Sequence, residues 1–125
     1  ADLIINFGAL GFFIRHRARL LLAFAATGAR AVVVDIDAQA ARAGCEAVQA
    51  QGGQAIWVEA DVGRSAEVRR YVQTALEHYG RIDVLFNNAG IAGVQAPVVD
   101  YPEDVFERVM RVNFMGILFG IQQVL

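Results

Sequence analysis

The chain has 125 residues, a net charge of −2 and a composition in which 56% of residues are hydrophobic. Its cations are all arginines and are scattered, which excludes the clustered basic surface of a nucleic-acid-binding protein. The single cysteine, Cys45, excludes an intrachain disulfide, and no apolar run is long enough to cross a bilayer. Because the first residues also lack the basic start of a signal peptide, we expect a cytoplasmic protein without a membrane partner.

Short apolar runs alternate with helical patterns along the chain. Strands are predicted at residues 3–6, 31–35, 55–59 and 84–87, and helices at 13–27, 38–51, 65–79 and from 102 to 125. This alternation is typical of β-α-β units, whose right-handed crossovers place the strands in the order 3-2-1-4. The predicted fold is therefore α/β: a Rossmann-like, partial doubly wound parallel sheet with helices on both faces.

Polar and small residues follow three of the predicted strands. Asp35 ends the second strand, Asp61 follows the third, and the run Asn87-Asn88-Ala89-Gly90 ends the fourth. In an open α/β sheet, ligands bind at the carboxyl ends of the strands. The small residues of the run would let a flat ligand approach the main chain, although Asn and Gly are also frequent in ordinary turns.

A further amide, Asn113, stands in the otherwise apolar last helix. Taken alone, it could be satisfied by a local backbone carbonyl and kink the helix. Together with Asp35, Asp61-Val62 and the Asn-Asn-Ala-Gly run, Val112-Asn113 completes a set of motifs in a fixed order and spacing. This set resembles the N-terminal half of a short-chain dehydrogenase/reductase. The resemblance extends from about Gly28 to the end of the chain and is poor before it.

The resemblance implies an oxidoreductase that transfers hydride between NAD(H) and an alcohol or carbonyl substrate. Residues 1–125 would then be the N-terminal part of a single dinucleotide-binding domain. The family's catalytic Ser and Tyr-X-X-X-Lys pair lie beyond the equivalent of Leu125, and the chain contains no lysine, so the fragment alone is expected to be inactive. Two alternatives stay open: a non-catalytic dinucleotide-binding or interaction module, and a 3-oxoacyl thioester reductase of the same family.

Two acids are predicted to bind the adenosine part of the cofactor. Asp35 can accept hydrogen bonds from both ribose hydroxyls and would repel the extra phosphate of NADP; the alternative is a surface acid at a strand end. The resemblance implies that Asp61 accepts a hydrogen bond from the adenine amine and that the backbone of Val62 assists. The alternative for Asp61 is an acid that starts the next helix. Asp37, close to Asp35, is predicted to start the second helix.

The resemblance also assigns roles to the amides and small residues. Asn88, Ala89 and Gly90 would line the adenosine ribose and the floor of the cleft, and Asn87 would tie strands together; a purely structural run is the alternative. Asn113 would be the Asn of the family's catalytic tetrad, whose backbone holds a water in the proton relay. The two histidines lack partners at metal-ligand spacing, so no metal site is predicted.

The phosphate-binding loop departs from the family pattern. Counted back from Asp35, Gly11 falls on the first glycine of that loop, but Arg15 and Arg17 occupy the other two glycine positions. Their side chains would fill the space that bare backbone leaves for phosphate, although their charge could attract it. A gapped placement on Gly8 and Gly11 is one alternative. A reading-frame error is another, because CGG-CAT-CGG for Arg-His-Arg becomes GGC-ATC-GG, the start of Gly-Ile-Gly, when one base is dropped.

The last predicted helix carries an apolar stripe too wide for four strands to cover. In the family, this helix and a later one form an interface between subunits. We therefore expect the isolated chain to aggregate or fold poorly and the full-length parent to form a homodimer or homotetramer.

Overall fold

The computed structural model describes the backbone of residues 2–6 and 14–125, and the side chains of residue 2 and residues 19–125. Strands and helices alternate in this part of the chain, in the order β1 (Asp2–Asn6), α1 (Ile14–Ala26), β2 (Arg30–Asp35), α2 (Ala38–Ala50), β3 (Ala55–Glu59), α3 (Ser65–Tyr79), β4 (Val84–Asn87), a 3-10 turn (Val98–Asp100), α4 (Glu103–Met110), a π-helical turn (Arg111–Met115) and α5 (Gly116–Val124). The four strands and helices α1 to α3 are those that the sequence predicts, with bounds that differ by one residue at most.

The strands form one parallel sheet in the order β3-β2-β1-β4. Strand β1 is central: Leu3 is aligned with Ala31 of β2 on one side and with Val84 of β4 on the other. All strands therefore present their carboxyl ends at one edge, called the carboxyl edge below, and their first residues at the opposite, amino edge. This arrangement is the Rossmann-like fold expected from the sequence.

The alternation of side chains along β2 divides the core between the two faces of the sheet. Val32 and Val34 pack on one face against α3, whereas Ala31 and Val33 pack on the other against α1 and α2. The helices contribute the residues that complete each layer: Val68, Tyr71, Val72 and Ala75 on the first face, and Leu21, Ala41, Cys45 and Val48 on the second. Each fully buried valine adds about 1.5–3 kcal/mol to stability, so β2 is held firmly in the centre of both layers.

Local polar contacts set where two helices begin or end. Asp37 is the N-cap of α2, where its side chain accepts hydrogen bonds from the backbone N–H groups of Gln39 and Ala40, as the sequence predicts. Helix α3 ends at Gly80, whose backbone is left-handed with φ of 79°. Glycine reaches this conformation without a steric penalty, and the chain can therefore turn sharply toward β4.

The last predicted helix is interrupted. Instead of one regular helix from residue 102 to 125, the π-helical turn separates α4 from α5 and contains Asn113. A π-helical turn replaces the usual i to i−4 hydrogen bonds by i to i−5 bonds, and such turns are frequent at functional sites. The helical run therefore changes its hydrogen-bonding pattern at the residue that sequence reasoning singles out.

Charged side chains at the amino edge bind one another. Arg30 Nε and Nη2 donate to the two carboxylate oxygens of buried Asp2, at 2.6 and 2.7 Å, and the guanidinium lies 4.7 Å from the centre of the Tyr79 ring. Arg81 donates to Asp83, which also accepts from the Asp2 backbone N–H at 2.8 Å. These bonds hold the pKa of Asp83 below its usual value, while burial raises the pKa of Tyr79.

Within residues 2–6 and 14–125, no helix combines the length and apolar character that a membrane span requires. The same described residues contain no group of three or more His, Cys, Asp or Glu side chains placed to hold a metal ion.

Candidate cofactor site

The residues predicted to bind a cofactor meet at the carboxyl edge. Asp35, the last residue of β2, is aligned with Glu59 at the end of β3, and Asn6 at the end of β1 is aligned with Asn87 at the end of β4. The loops that leave β3 and β4 continue from the same edge into Asp61 and Asn88. Because the strands are parallel, the sheet brings to one edge residues that lie more than fifty positions apart in the sequence.

Asp35 is a buried acid rather than a surface one. Its relative exposure is 5%, and its Oδ1 accepts a hydrogen bond from the backbone N–H of Asp37 at 3.0 Å. Its backbone carbonyl accepts from the N–H of Ala60, which fixes the strand end against the loop after β3. The alternative of a surface acid at a strand end is therefore wrong.

Asp61 shapes the turn that follows β3. Its Oδ1 accepts from the Gly63 backbone N–H at 2.9 Å, and its Oδ2 lies 3.5 Å from Arg64 Nε. Its own backbone N–H donates to Glu67 Oε2 at 2.7 Å, which ties the turn to the first turn of α3. The N-cap of α3 is Arg64, so Asp61 precedes the helix and does not start it. Its side chain stays 29% exposed and is accessible from the edge.

Two glycines of α5 let that helix approach the carboxyl edge closely. A methyl group on Gly116 would lie 3.1 Å from Val62 Cγ2, and one on Gly120 would lie 2.7 Å from Asn87 Oδ1. Asn87 Nδ2 also donates to the Ile117 carbonyl at 3.4 Å. This hydrogen bond of Asn87 joins β4 to α5. Val62 is buried under α5.

Asn88 has the one buried side-chain polar atom without a partner among the described residues. Its Nδ2 atom is buried and has no hydrogen-bond acceptor there. Leaving a buried donor unsatisfied costs about 1–3 kcal/mol. Because Asn88 follows β4 directly and precedes Ala89 and Gly90, this unsatisfied donor lies at the edge where a ligand of the sheet would bind.

Asn113 bonds to a distant loop rather than to its own helix. Its Oδ1 accepts from the Ile91 backbone N–H at 2.8 Å, and its Nδ2 donates to the Ile91 carbonyl at 2.9 Å. The account in which a local carbonyl satisfies the side chain is therefore wrong, since both partners belong to a residue 22 positions earlier. The amide forms a two-point clamp on the residue that immediately follows Gly90.

The glycines predicted for the phosphate-binding loop, Gly8 and Gly11, lie outside the described residues. Arg15 and Arg17 lie in the first turns of α1, and their side chains are also outside the described set. The assignments of Gly11 and of the two arginines therefore stay predictions from the sequence.

Some functional contacts carry only a weak signal in the sequence. Gly116 and Gly120 are four apart on one helix face, which indicates close packing but does not name the partner. The hydroxyl of Tyr101 accepts from the Val94 backbone N–H at 3.2 Å, and no motif predicts this contact.

Comparisons with known proteins agree with this arrangement. A family model described as short chain dehydrogenase matches residues 18–125. Levodione reductase from Leifsonia aquatica is 37% identical over 103 residues, which cover 81% of this chain and 39% of the relative. Glucose 1-dehydrogenase 2 from Bacillus subtilis is 38% identical over 80 residues, which cover 64% of this chain and 31% of that enzyme.

Solved structures show the same likeness in three dimensions. The chain superposes on NAD+-bound xylitol dehydrogenase with a TM-score of 0.87 at 28% identity, covering 98% of this chain and 46% of the other. For levodione reductase, the TM-score is 0.86 at 30% identity, with coverage of 98% and 47%. The chain therefore spans less than half the length of these relatives. Since the family model covers most of the sequence, the chain belongs to the short chain dehydrogenase family of oxidoreductases.

Proposed function

We propose that this chain is the cofactor-binding part of an oxidoreductase that uses NAD(H) and acts on a small alcohol or carbonyl compound. The observation that carries the proposal is Asp35, a buried carboxylate at the carboxyl end of β2. An acid at this place can accept hydrogen bonds from both hydroxyls of an adenosine ribose. The names of the relatives, a xylitol dehydrogenase with NAD+ and a levodione reductase, support a nicotinamide cofactor and alcohol or carbonyl chemistry.

The adenosine side of the site is proposed to consist of Asp35, Asp61 and Val62. Asp35 would hold the ribose, and its negative charge would disfavour the added phosphate of NADP. Asp61 would accept a hydrogen bond from the adenine amine with the part of its carboxylate that stays exposed. Val62, held in place by Gly116, would present its backbone to the adenine ring.

The residues after β4 would complete the floor of the cleft. Asn88 Nδ2 needs an acceptor, and an oxygen of the cofactor's sugar is an acceptor of the right chemistry. Ala89 and Gly90 would allow close approach to the main chain. The nicotinamide ring supplies the hydride donor or acceptor when it is bound. Asn113 would act as a catalytic residue through its backbone, while its side chain holds Ile91.

The chain alone is proposed to lack turnover. Proton transfer to or from the substrate needs a general acid, which the family supplies from a Tyr-X-X-X-Lys pair, and the chain has no lysine. Its affinity for a dinucleotide would also be weak, because the phosphate-binding loop needs two more glycines after Gly11. Arg15 and Arg17 occupy those two positions. Mutation of both arginines to glycine should raise the affinity.

A comparison of NAD and NADP binding tests the proposal. In saturation-transfer NMR, the chain should bind NAD better than NADP, and Asp35→Asn should narrow this preference about tenfold, equivalent to about 1.4 kcal/mol. Asn keeps an acceptor for the Asp37 N–H, but it removes the charge and turns the other oxygen into a donor, so the affinity for NAD itself should also fall. Better binding of NADP than of NAD by the unsubstituted chain would contradict the assignment.

Asp37→Ser is the matched control for this experiment. It removes a negative charge two residues away, and serine retains the ability to cap α2. The NAD preference should therefore stay within about twofold of the unsubstituted chain if Asp35, and not the general field of the edge, selects the cofactor. An equal effect of both substitutions would assign the preference to the field alone.

The full-length parent is proposed to be a cytoplasmic homodimer or homotetramer. Large apolar side chains of α4, the π-helical turn and α5 are exposed and share one helical run: Phe106, Met110, Phe114, Ile117, Leu118 and Ile121. Contiguous exposed apolar surface of this kind is usually covered by another protein surface.

A further inference from the structure

The loop between β4 and α4 is held at two points, by a contact with the π-helical turn and by a contact within the loop itself. The first is Ile91, held on both backbone groups by Asn113. The second is Val94, whose backbone N–H donates to the Tyr101 hydroxyl at 3.2 Å. Residues 92–100 between and beyond these points are exposed, so burial contributes little to their placement. Specific polar contacts therefore have to fix this loop.

The Tyr101 hydroxyl occupies space that is free because residue 93 is glycine. A methyl group on Gly93 would overlap the Tyr101 hydroxyl oxygen and lie 3.1 Å from Cζ of the ring. The same methyl position is 3.5 Å from Val109 Cγ2 of α4. The phenol ring thus lies against the Gly93 backbone, with α4 on the same side. Since Tyr101 directly precedes Pro102, the N-cap of α4, it links the beginning of that helix to the loop.

The position of this loop relative to the adenosine residues indicates what it borders. Strand β4 lies at the opposite end of the sheet from β2 and β3, with β1 between. Asp35 and Asp61, proposed to hold the adenosine, follow β2 and β3. A dinucleotide that crosses the switch point between β1 and β4 must then place its nicotinamide half beside the loop after β4.

We propose that Tyr101 is a positioning residue for the nicotinamide half of the site, acting through Gly93 and Val94. This inference rests on the proposed function. Asn113 and Tyr101 together fix residues 91–94 in the direct continuation of the Asn88-Ala89-Gly90 run. The loop is thereby ordered before a ligand arrives, which lowers the entropy that binding has to offset. Tyr101 itself touches neither reacting atom nor cofactor in this account.

Removal of the hydroxyl alone provides the test. In Tyr101→Phe, amide hydrogen exchange at Val94 should accelerate by about tenfold, because the hydrogen bond that protects it is lost. Affinity for NAD should fall about 3- to 10-fold, whereas affinity for AMP, which carries only the adenosine half, should change less than about twofold. Both ligands are titrated into the 125-residue chain by ligand-observed NMR.

Gly93→Ala gives a second, independent approach to the same contact. It should weaken NAD binding in the unsubstituted background, since the new methyl displaces the Tyr101 hydroxyl. In the Tyr101→Phe background the overlapping oxygen is gone, so the same substitution should have a clearly smaller effect. Tyr79→Phe, which removes a hydroxyl bonded to Ala31 at the amino edge, is the matched control and should change neither affinity.

The outcomes separate this inference from the proposed function. If the unsubstituted chain binds AMP and NAD but Tyr101→Phe changes both equally or neither, the positioning role is overturned and the proposed function stands. Additive effects of Gly93→Ala and Tyr101→Phe would also overturn it, because the two residues would then act separately. If neither nucleotide binds to the folded chain even after both Arg15 and Arg17 are replaced by glycine, the proposed function fails and this inference fails with it.

Discussion

The two edges of the sheet use their polar side chains differently. At the amino edge, charged groups bind one another: Arg30 with Asp2, and Arg81 with Asp83. At the carboxyl edge, Asp35, Asp61 and Asn113 bind backbone groups of loops, although Asp61 also lies 3.5 Å from Arg64 Nε. A pair of charges satisfies itself, whereas a side chain that holds a loop shapes the surface around it. This difference supports our proposal that a ligand binds at the carboxyl edge and not at the amino edge.

A large surface depression lies at the amino edge, but its size does not make that edge the better candidate for a binding site. An open depression of about 790 Å³ lies at the amino edge, and its lining includes Asp2, Arg30, Arg81 and Asp83. These charges already have partners, so the depression offers few unsatisfied groups to a ligand. The carboxyl edge, in contrast, contains the unsatisfied Nδ2 of Asn88. In this protein, a buried hydrogen-bond donor without a partner is therefore a better indicator of a ligand-binding site than the volume of a depression is.

The largest fall in stability is expected for a substitution at the carboxyl edge. Asn113→Ala removes both hydrogen bonds to Ile91 and leaves two partly buried backbone groups without partners. We expect the free energy of unfolding to fall by about 2–4 kcal/mol, together with loss of order in residues 91–94. Urea denaturation measures the first effect, and amide exchange measures the second.

Gln122→Ala is the control for Asn113→Ala, because it removes an exposed amide from the same helical run. It should change stability by less than about 0.5 kcal/mol. If Asn113→Ala proves equally mild, the clamp on Ile91 does not hold the loop.

A somewhat smaller effect is expected when the amino edge is broken. Arg30→Met keeps much of the aliphatic volume but leaves the Asp2 carboxylate, 5% exposed, without its cation. A buried carboxylate that loses its cation is destabilising, and the partial exposure of Arg30 moderates this loss, so the free energy of unfolding should fall by less than in Asn113→Ala. Nucleotide affinity should not change, since Arg30 lies at the opposite edge; chemical denaturation and a nucleotide titration check both statements.

Arg42→Met provides the comparison for this prediction. Arg42 forms an ion pair with Glu46 at 2.8 Å, but both side chains are largely exposed. Its removal should lower stability by less than about 0.5 kcal/mol. Similar values for Arg30→Met and Arg42→Met would show that burial of Asp2 adds nothing to the amino-edge pair.

The smallest expected effect concerns pH. Hydrogen bonds from Arg81 and from the Asp2 N–H hold the pKa of Asp83 below its unfolded value of about 3.9. Its contribution to stability is therefore fully present above that unfolded value and is lost as the pH falls through the folded pKa. Asp83→Asn should lose less stability than the unsubstituted chain between about pH 5 and pH 3, as urea midpoints at both pH values would show. Parallel losses in the two proteins would contradict the assignment.

Much of the fold could be predicted from the sequence because its signals are local. Apolar runs, glycines after helices and the cap at Asp37 specify where elements begin and end. The handedness of crossovers then leaves few ways to order the strands, and the order β3-β2-β1-β4 follows. The placement of Asp35, Asp61 and Asn88 at one edge is a consequence of that order.

The partners of the site residues could not be predicted, because they depend on tertiary contacts. Nothing near Asn113 in the sequence indicates Ile91 as its partner, and nothing near Tyr101 indicates Val94. The sequence allows a kink at Asn113 but does not indicate that the last helix contains a π-helical turn over Arg111–Met115. A single sequence indicates which residues are unusual, but it does not indicate which atoms these residues contact in the folded protein.

The central position of β1 has a consequence for how the chain folds. Strand β1 pairs with β2 and also with β4, whose contacts lie about 80 positions later; the bond from Asp2 to Asp83 spans 81. Contacts at such sequence separation slow folding, because the intervening chain must be ordered before they form. The edge of β1 that pairs with β4 therefore stays unpaired until β4 has formed. Substitutions in β1 should accordingly change the rate of folding and the fraction lost to aggregation more than substitutions in β3, which docks only on β2.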